Sequence, residues 1–307
     1  MKDEWRERLI RLGYAAEGRF DRIKYRAAER FQPDRVSYVQ PYRWYAGAKM
    51  IQVRGRVLQN NGLATAEADD NIWDNILNTY RRFNSDELPH AEVTVRFGEQ
   101  EIVVEADEEG YFTAQLATEK PLAAGWHSAE VSLADSEPVD APFLVVSDVA
   151  DSAEFGIISD IDDTILKTNA TNLLRAAQLT ILGNAHTRLA FAGVAAFYRA
   201  LSHDGRNPIF YVSSSPWNLY DLLDDFIIAQ EIPTGPLCLR DLGIDRNKFI
   251  TTAHGQHKLA QIEAILTTYP DLPFILIGDS GQKDPEIYSE IVSRFPNRVL
   301  AIYIRDV

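Results

Sequence analysis

Alternation of hydrophobic and polar residues dominates the first half of the chain. Apolar side chains alternate with polar ones at Ile51, Val53 and Val57, and they stand at every second position in 93–97, 112–116 and 129–133. This period is typical of strands that bury one face. Several such strands at hairpin spacing predict a small antiparallel β-sandwich of the immunoglobulin type over 37–150, interrupted by one helix at 71–83. The sandwich offers no catalytic constellation, so we expect recognition or scaffolding to be its role.

The second half of the chain has continuous apolar runs in place of alternation. Runs of this kind occupy 155–158, 208–212, 237–239 and 274–277. Two predicted helices, 217–229 and 258–266, lie between them. Strands that alternate with helices predict an α/β fold with a parallel sheet over 151–307.

Residues 1–36 form a third region, in which 3–31 is predicted to make two helices. Residues 1–61 carry 14 Lys and Arg against 7 Asp and Glu, a balance of +7. Basic charge combined with aromatic residues such as Trp5 and Phe20 can hold a protein at an anionic membrane surface. The alternative is that the apolar side chains of these helices pack on the rest of the protein, because acidic residues are interspersed throughout.

The composition limits the classes of protein that fit. A net charge of −14 argues against nucleic-acid binding. The single cysteine, Cys238, excludes an internal disulfide framework and is predicted to be a buried, inert thiol. Because no apolar run reaches the length of a membrane span and the N-terminus lacks a secretory signal, we expect a cytoplasmic protein, with peripheral membrane association as a further option.

Three side chains that can do chemistry follow the apolar run 155–158. Asp160, Asp162 and Thr164 stand at i, i+2 and i+4, and side chains two apart in an extended segment point the same way. In open α/β sheets, ligands bind beyond the carboxyl ends of the strands. Two carboxylates at this place suit a nucleophile paired with a proton donor, since carboxylates form aspartyl-phosphate intermediates. The structural alternative is a capped turn, which also favours Asp and Thr.

The end of the next predicted strand leads into residues 213–216. Ser213 and Ser214 supply hydroxyl groups, and a turn here would present backbone N–H groups that hold phosphate oxygens as a nest. Trp217 and Asn218 follow directly and are candidates for substrate contact. For Trp217, packing in the core is the alternative.

Candidate metal ligands gather near the third strand end. Mg²⁺ prefers oxygen ligands, typically one or two carboxylates together with substrate phosphate. Asp160 and Asp279 would supply these carboxylates, and the backbone carbonyl of Asp162 a further oxygen. Lys258 is predicted to open a helix, where a cation is unfavourable unless an anion lies nearby. Asp284 opens the next helix and could hold a metal-bound water, pair with Lys258 or cap that helix.

Four motifs in this order resemble those of the haloacid-dehalogenase (HAD) superfamily of phosphohydrolases. They are Asp160-x-Asp162-x-Thr164, Ser213, Lys258 and Gly278-Asp279-x-x-x-x-Asp284. A closer similarity, to the actin-patch-protein type of Mg²⁺-dependent phosphatidate phosphatase and its bacterial relatives, is carried by 159–165, 211–219, 278–288 and 303–307. The resemblance implies a HAD-like Rossmannoid sheet for 151–307. It also implies an enzyme, a phosphoric monoester hydrolase of lipid metabolism.

The resemblance further implies a mechanism. Asp160 attacks phosphorus and forms an aspartyl phosphate, while Asp162 protonates the leaving group and then activates water. Mg²⁺ bridges Asp160 and a phosphate oxygen, and Lys258 and Ser213 take up charge on the other oxygens. Thr164 orients the loop.

Three functions stay open at this point. The first is hydrolysis of phosphatidate or a similar lipid phosphate, and the second is hydrolysis of soluble phosphomonoesters such as sugar phosphates or nucleotides. The third is a non-enzymatic adaptor that binds a membrane or a partner. The intervals between the motifs leave little room for a large lid, which favours a bulky or interfacial substrate, because small metabolites normally need a lid that excludes water.

Overall fold

The structure is a computed structural model, and it describes residues 36–47, 49–60, 86–118, 120–134, 136–146, 153–166, 190–240 and 254–307. The predicted helices at 3–31 and 71–83 lie outside these residues. Most of the interval after Thr164, in which a lid would fall, also lies outside them.

The described residues form strands, four α-helices and one short 3₁₀ helix. The strands are β1 (Val36–Tyr42), β2 (Trp44–Ala46), β3 (Met50–Asn60), β4 (Asp86–Glu87), β5 (Glu92–Phe97), β6 (Gln100–Glu105), β7 (Tyr111–Ala117), β8 (Gly125–Ser132), β9 (Val139–Val145), β10 (Gly156–Ser159), β11 (Ile209–Pro216), β12 (Leu237–Arg240), β13 (Phe274–Asp279) and β14 (Val299–Arg305). The helices are α1 (Val194–Ser202), the 3₁₀ helix (Trp217–Leu219), α2 (Tyr220–Ala229), α3 (His254–Thr268) and α4 (Asp284–Arg294). None of these helices is both long and apolar enough to cross a membrane.

Two largely antiparallel sheets form the first part of the described chain. One has the order β1-β3-β4 with β7 also paired to β3, and the other has the order β2-β9-β8-β5-β6, in which β2 and β9 run parallel. Ile51, Val53 and Val57 of β3 are buried, as are Val93 and Val95 of β5. These side chains lie in one hydrophobic core shared by both sheets. The burial of these apolar positions is confirmed, although Arg56, a polar position of the predicted alternation in β3, is buried as well.

A five-stranded parallel sheet of the order β12-β11-β10-β13-β14 forms the second part, which confirms the predicted α/β class. The central strand β10 pairs with β11 on one side and β13 on the other, so that Ser159 lies opposite Tyr211 and Ile277. All residues of β10 and β13 are buried. Because the carboxyl ends of β10, β11 and β13 are adjacent, the polar residues that follow or end these strands converge at one edge of the sheet.

Two boundaries predicted from the sequence are wrong. Strand β11 continues to Pro216, with a register shift against β12 after Val212, so 213–216 is strand and not a turn that forms a nest. Proline lacks an N–H group, which suits the last position of a strand. Helix α3 begins at His254, so Lys258 lies one turn inside the helix, where the dipole penalty of a first-turn cation no longer applies.

One hydrophobic core continues from the sandwich into the parallel sheet. The ring of Tyr42 on β1 stacks on Trp217 with the centroids 4.6 Å apart. The hydroxyl of Tyr269, after α3, donates to the carbonyl of Ala46 at 2.9 Å. The two parts of the described chain are thus joined by buried aromatic contacts.

Cys238 lies on β12 and is a fully buried free thiol, as the sequence predicts. Burial raises the pKa of the Cys238 thiol to about 12. Since the thiolate is the reactive form, this cysteine is inert at neutral pH.

Candidate active site

Asp160 lies directly after β10, at the carboxyl edge of the sheet. Its backbone N–H donates to the carbonyl of Ile277 on β13 at 2.9 Å, so strand pairing continues to this residue. The chain then turns, with the N–H of Ile165 donating to the carbonyl of Ile161 at 2.9 Å and Asp163 at a left-handed φ of 55°. Asp160 is only 1% exposed, and a carboxylate buried to this extent requires a partner.

Lys258 on α3 provides that partner. Its Nζ lies 3.0 Å from Asp160 Oδ1 and donates to Asp284 Oδ1 at 2.7 Å. It also donates to Gln282 Oε1 at 3.3 Å. Lys258 and Asp284 are as buried as Asp160, so the lysine and the two carboxylates compensate one another in a place with little access to water.

Burial and the neighbouring opposite charges shift the pKa values of these three side chains in opposite directions. Burial raises the pKa of Asp160 well above its usual value, and the ammonium of Lys258 offsets part of the effect. Burial also raises the pKa of Asp284, again against the influence of Lys258. For Lys258, burial lowers the pKa, but the two carboxylates outweigh it and hold the pKa above the usual value. The lysine is therefore a protonated cation at neutral pH.

Two serine hydroxyls of β11 hold Asp162. Ser213 Oγ and Ser215 Oγ each donate to Asp162 Oδ2 at 2.8 Å. The N–H of Ser215 donates in turn to Ser213 Oγ at 2.9 Å. Ser215 was not among the residues predicted from the sequence. The spacing of Ser213 and Ser215 could have indicated it, because residues two apart on a strand share a face. This argument applies to Ser215 only if β11 extends to Pro216, whereas the sequence predicted a turn there.

Asp279 ends β13, and its two carboxylate oxygens differ in their surroundings. Oδ1 accepts hydrogen bonds from the N–H groups of Gly281 at 2.7 Å and Gln282 at 2.8 Å, which fixes the loop after the strand. Oδ2 is buried and has no hydrogen-bond partner in the described part of the chain. A buried carboxylate oxygen without a donor is costly unless a cation approaches it.

Asp160, Asp279 and Asp284 form a buried cluster in which one carboxylate oxygen of each lies within 4.8 Å of the others. Such a set of hard oxygen ligands fits a divalent cation. Asp284 Oδ2 also accepts the backbone N–H of Asp279 at 3.2 Å. Asp162 is predicted to bind the metal through its backbone carbonyl, and its carboxylate, held by the two serines of β11, lies outside this cluster.

Thr164 contacts this group, and Ser214 lies on β11 between the two serines that hold Asp162. Thr164 Oγ1 is 3.4 Å from Asp160 Oδ2, and the Thr164 carbonyl accepts a hydrogen bond from Arg305 Nε at 2.9 Å. Arg305, on β14, therefore holds the loop that follows Asp160, a contact that no sequence pattern indicated. Ser214 Oγ is buried and has no hydrogen-bond partner among the described residues.

Trp217 and Asn218 contact the sandwich. Trp217 is buried in the shared core, where it stacks on Tyr42, the alternative that the sequence left open for it. Asn218 Oδ1 accepts a hydrogen bond from a terminal guanidinium nitrogen of Arg56 at 2.7 Å. Both residues therefore belong to the interface between the sandwich and the parallel sheet.

The fold and the site together define an α/β domain with a buried, metal-compatible carboxylate cluster at the carboxyl edge of its sheet. Residues 155–306 match the family model of the catalytic domain of phosphatidate phosphatase APP1, and this part of the chain belongs to that family. The family is one of phosphoric monoester hydrolases.

Two curated relatives match the same half of the chain. Phosphatidate phosphatase APP1 of Saccharomyces cerevisiae is 37% identical over 150 residues, which is 49% of this chain and 25% of the yeast protein. An uncharacterized protein of Schizosaccharomyces pombe is 32% identical over 161 residues, 52% of this chain and 26% of that protein. The matches thus span about a quarter of the length of these relatives.

Among solved structures, a carbohydrate acetylesterase from Xanthomonas citri aligns with a TM-score of 0.31 and 13% identity, over 89% of this chain and 69% of the other. A similarity at this level carries no argument about function.

Proposed function

We propose that the protein is a Mg²⁺-dependent phosphomonoester hydrolase that acts on phosphatidate through an aspartyl-phosphate intermediate. The observation that carries the proposal is the buried pairing of Asp160 with Lys258, beside Asp162 held by two serine hydroxyls. A nucleophile, a positive charge for the phosphate and a proton donor are the parts that phosphoryl transfer to a carboxylate requires. The family of residues 155–306 supports the same reaction.

The fold supports a HAD-like assignment for the catalytic part. The four motifs resembling that superfamily fall on or beside β10, β11, α3 and β13, whose ends meet at the carboxyl edge of the parallel sheet. We propose an immunoglobulin-like sandwich at 37–150 and a catalytic domain at 151–307, preceded by the segment 1–36, which is predicted to be helical from the sequence and of which all but Val36 lies outside the described residues.

Asp160 is the proposed nucleophile. One of its carboxylate oxygens forms a bond to phosphorus as the ester P–O bond breaks, which yields an aspartyl phosphate and an alkoxide. Asp162 donates a proton to the alkoxide oxygen. Because Ser213 and Ser215 fix Asp162 Oδ2, its Oδ1 is the atom that would carry this proton.

Asp162 also serves the second half of the reaction. A water molecule attacks the phosphorus of the aspartyl phosphate, and Asp162 takes one of its protons. The bond between phosphorus and Asp160 then breaks, inorganic phosphate leaves, and both carboxyl groups return to their starting states. One fixed carboxyl group thus acts first as an acid and then as a base.

The remaining side chains would bind the phosphate. Lys258, protonated and buried, offsets the negative charge that the substrate brings next to Asp160. Ser213 is predicted to take up charge on a phosphate oxygen, whereas Ser214, its neighbour on β11, faces the opposite side of the strand. Donors that are fixed before the reaction need no reorganisation when charge develops.

Asp160 and Asp279 are the residues that would hold Mg²⁺, with the backbone carbonyl of Asp162 as a further ligand. The unpartnered Oδ2 of Asp279 supports this choice. Both carboxylate oxygens of Asp284 are engaged, one by Lys258 and one by the N–H of Asp279, so Asp284 would act through a metal-bound water. Mg²⁺, when bound, neutralises charge on the phosphate and orients it toward the nucleophile.

Phosphatidate is proposed as the substrate because the family and its Saccharomyces cerevisiae member carry that name. An enzyme that acts on this lipid must reach a membrane surface. We propose that it does so as a cytoplasmic protein that associates peripherally with membranes, and the balance of +7 in residues 1–61 is consistent with that role.

Release of inorganic phosphate from phosphatidate in mixed micelles and liposomes tests the proposal, with a panel of soluble phosphomonoesters in parallel. The wild-type chain should hydrolyse phosphatidate in the presence of Mg²⁺ and well above the panel. Asp160→Asn should lose at least about a thousandfold in kcat, because it removes the nucleophile. Asp163→Asn is the matched control, since it changes the neighbouring carboxylate and asparagine tolerates a left-handed φ.

Three results would contradict parts of the proposal. Turnover of soluble esters alone would keep the mechanism and discard the lipid substrate. Activity retained in Asp160→Asn would exclude Asp160 as the nucleophile. A wild-type chain without activity on any of these substrates would favour an adaptor.

A further inference from the structure

A polar cleft of about 210 Å³ lies between the sandwich and the parallel sheet. It is lined, among others, by Tyr42, Arg54, Glu105, Asp107, Tyr111 and Trp217. Glu105 and Asp107 are exposed, so the cleft opens to solvent. None of the proposed catalytic residues lines it, so the cleft is a second concave site.

The guanidinium of Arg54 lies over an aromatic surface in this cleft. Its central carbon is 4.6 Å from the ring centroid of Trp44 and 5.5 Å from that of Trp217. Stacking on aromatic faces holds the guanidinium plane and leaves its N–H edge available. Within the described residues the guanidinium of Arg54 has no hydrogen-bond acceptor and no carboxylate partner.

The acidic residues of the cleft are engaged elsewhere. Asp107 Oδ1 accepts two backbone N–H groups of its own turn, each at 2.9 Å. Glu105 Oε1 contacts His90 Nδ1 at 2.7 Å. Within the described residues, neither carboxylate forms an ion pair with Arg54.

Tyr42 also lines the cleft and offers a second donor. It is 3% exposed, and its hydroxyl has no hydrogen-bond partner in the described part of the chain. Leaving a buried hydroxyl unpaired costs about 1–3 kcal/mol, so such a group is expected to have a ligand. A cation and a buried hydroxyl that both lack an acceptor therefore line one cleft.

We infer that the cleft binds a small oxyanion, a phosphate or a carboxylate group, with Arg54 as the charged partner and Tyr42 as a second donor. Arginine recognises both kinds of oxyanion through paired N–H groups. The cleft is smaller than the roughly 300–1,000 Å³ of sites for drug-sized ligands, so it accommodates a small anion or the anionic end of a larger molecule. The inference concerns binding outside the proposed reaction centre and does not depend on the reaction.

Calorimetric titration of the full chain with inorganic phosphate and, separately, with acetate tests this site. Divalent cations are first removed with a chelator that is then dialysed away, because without a cation the three buried carboxylates of the catalytic cluster repel anions. Added chloride salt keeps the ionic strength constant, so that the measured heat reports binding of the anion and not a change in the screening of charges. The wild-type chain should bind at least one of the two anions saturably, at one site per chain.

Two variants and a control assign the binding to the cleft. Arg54→Gln should weaken the affinity at least about tenfold, since it removes a charged hydrogen-bond partner. Arg96→Gln changes an exposed arginine of β5 that pairs with Glu101, and it should bind as the wild type does. Tyr42→Phe keeps the stacked ring and should weaken binding severalfold, which tests the cleft even where Arg54→Gln fails to fold.

The inference is overturned in two ways. One is a wild-type chain that binds neither anion saturably up to about 10 mM, beyond the range of a specific weak site. The other is an affinity that stays the same in Arg54→Gln and Tyr42→Phe, which would place the bound anion elsewhere on the protein.

Discussion

Gly278 lies directly against the carboxylate of Asp284. A Cβ atom added to residue 278 would fall 2.3 Å from Asp284 Oδ2 and 2.7 Å from the Asp284 Cβ. The missing side chain is what allows Asp284 to reach both Lys258 and the backbone N–H of Asp279. Glycine is required at this position by the close approach of a neighbour.

Gly278→Ala should therefore displace Asp284 and disturb the group around Lys258. We expect kcat to fall at least tenfold and the free energy of unfolding to drop by about 1–3 kcal/mol, as for overpacking of a core. Steady-state kinetics and urea unfolding measure the two effects. Gly47→Ala is the control, because an added Cβ there meets its nearest neighbour at an ordinary 3.6 Å. An equal kcat and an equal free energy of unfolding in the two variants would refute the packing argument.

Ser215→Ala should lower kcat about tenfold with little change in KM, because it removes one of the two hydrogen bonds that hold Asp162 Oδ2. A hydrogen bond to a charged group contributes about 1.5–3 kcal/mol, and 1.4 kcal/mol corresponds to a tenfold effect. Ser215→Thr retains the hydroxyl and should recover most of the rate. As a distant control, Ser293→Ala changes an exposed serine of α4 and should leave kcat as it is.

Rescue by Ser215→Thr separates a positioning role from a structural one, because only a variant that keeps the hydroxyl can hold Asp162 Oδ2. A kcat of Ser215→Thr as low as that of Ser215→Ala would assign Ser215 a structural role only.

Mg²⁺ should raise the melting temperature of the wild-type chain by several degrees at concentrations well above its dissociation constant. A ligand that binds only the folded state stabilises it by mass action, and here it also relieves repulsion within the carboxylate cluster. Asp279→Asn should abolish the shift, because Asp279 offers the unpartnered oxygen. Asp306→Asn, which changes an exposed carboxylate after β14, should keep it. A shift of equal size in Asp279→Asn would exclude this residue as a ligand.

Asp224 on α2 should make the protein less stable as the pH rises toward neutrality. Burial raises the pKa of Asp224 to about 6, although Arg43, with which it forms an ion pair, opposes the effect. A folded-state pKa above the unfolded value means that the stabilisation is complete below about pH 4 and is lost as the pH rises through about 6. The loss should be on the order of 2 kcal/mol.

Urea unfolding between pH 4 and 7.5 measures this dependence. Asp224→Asn should show a flatter profile than the wild type, since the amide does not titrate. Asp225→Asn changes the exposed neighbour on the same helix and should retain the wild-type slope. Parallel profiles for wild type and Asp224→Asn would show that Asp224 ionises in the folded protein at an ordinary pH.

Much of the site could be predicted because parallel strands end at one edge of their sheet. The sequence placed Asp160 and Asp279 at the ends of apolar runs, and the adjacency of β10 and β13 then brings their carboxylates together. The pairing of Lys258 with Asp284, one of the alternatives for Asp284, is confirmed by their 2.7 Å contact. The local sequence at a strand end can thus predict which residues from distant parts of the chain meet at the site.

The contacts that could not be predicted depend on where elements end and on which surfaces meet. The turn expected at 213–216 concealed Ser215, because hydroxyl-rich residues resemble a loop while β11 in fact continues through them. Arg305 reaches the Thr164 carbonyl across 141 positions of sequence, a distance over which no periodicity is informative. The stacking of Tyr42 on Trp217 likewise joins two sheets that share no pattern.

The buried contacts of Tyr42 with Trp217 and of Tyr269 with Ala46 determine how this molecule can be divided. A fragment limited to residues 155–306 would expose Trp217, which Tyr42 covers in the whole chain. It would also leave the Tyr269 hydroxyl without its acceptor, the carbonyl of Ala46. Such a fragment would be prone to self-association, and recombinant pieces of this protein should begin before β1. Heating the whole chain should unfold the sandwich and the parallel sheet together, because the core of the parallel sheet includes Tyr42, Trp44 and Tyr45 of the sandwich.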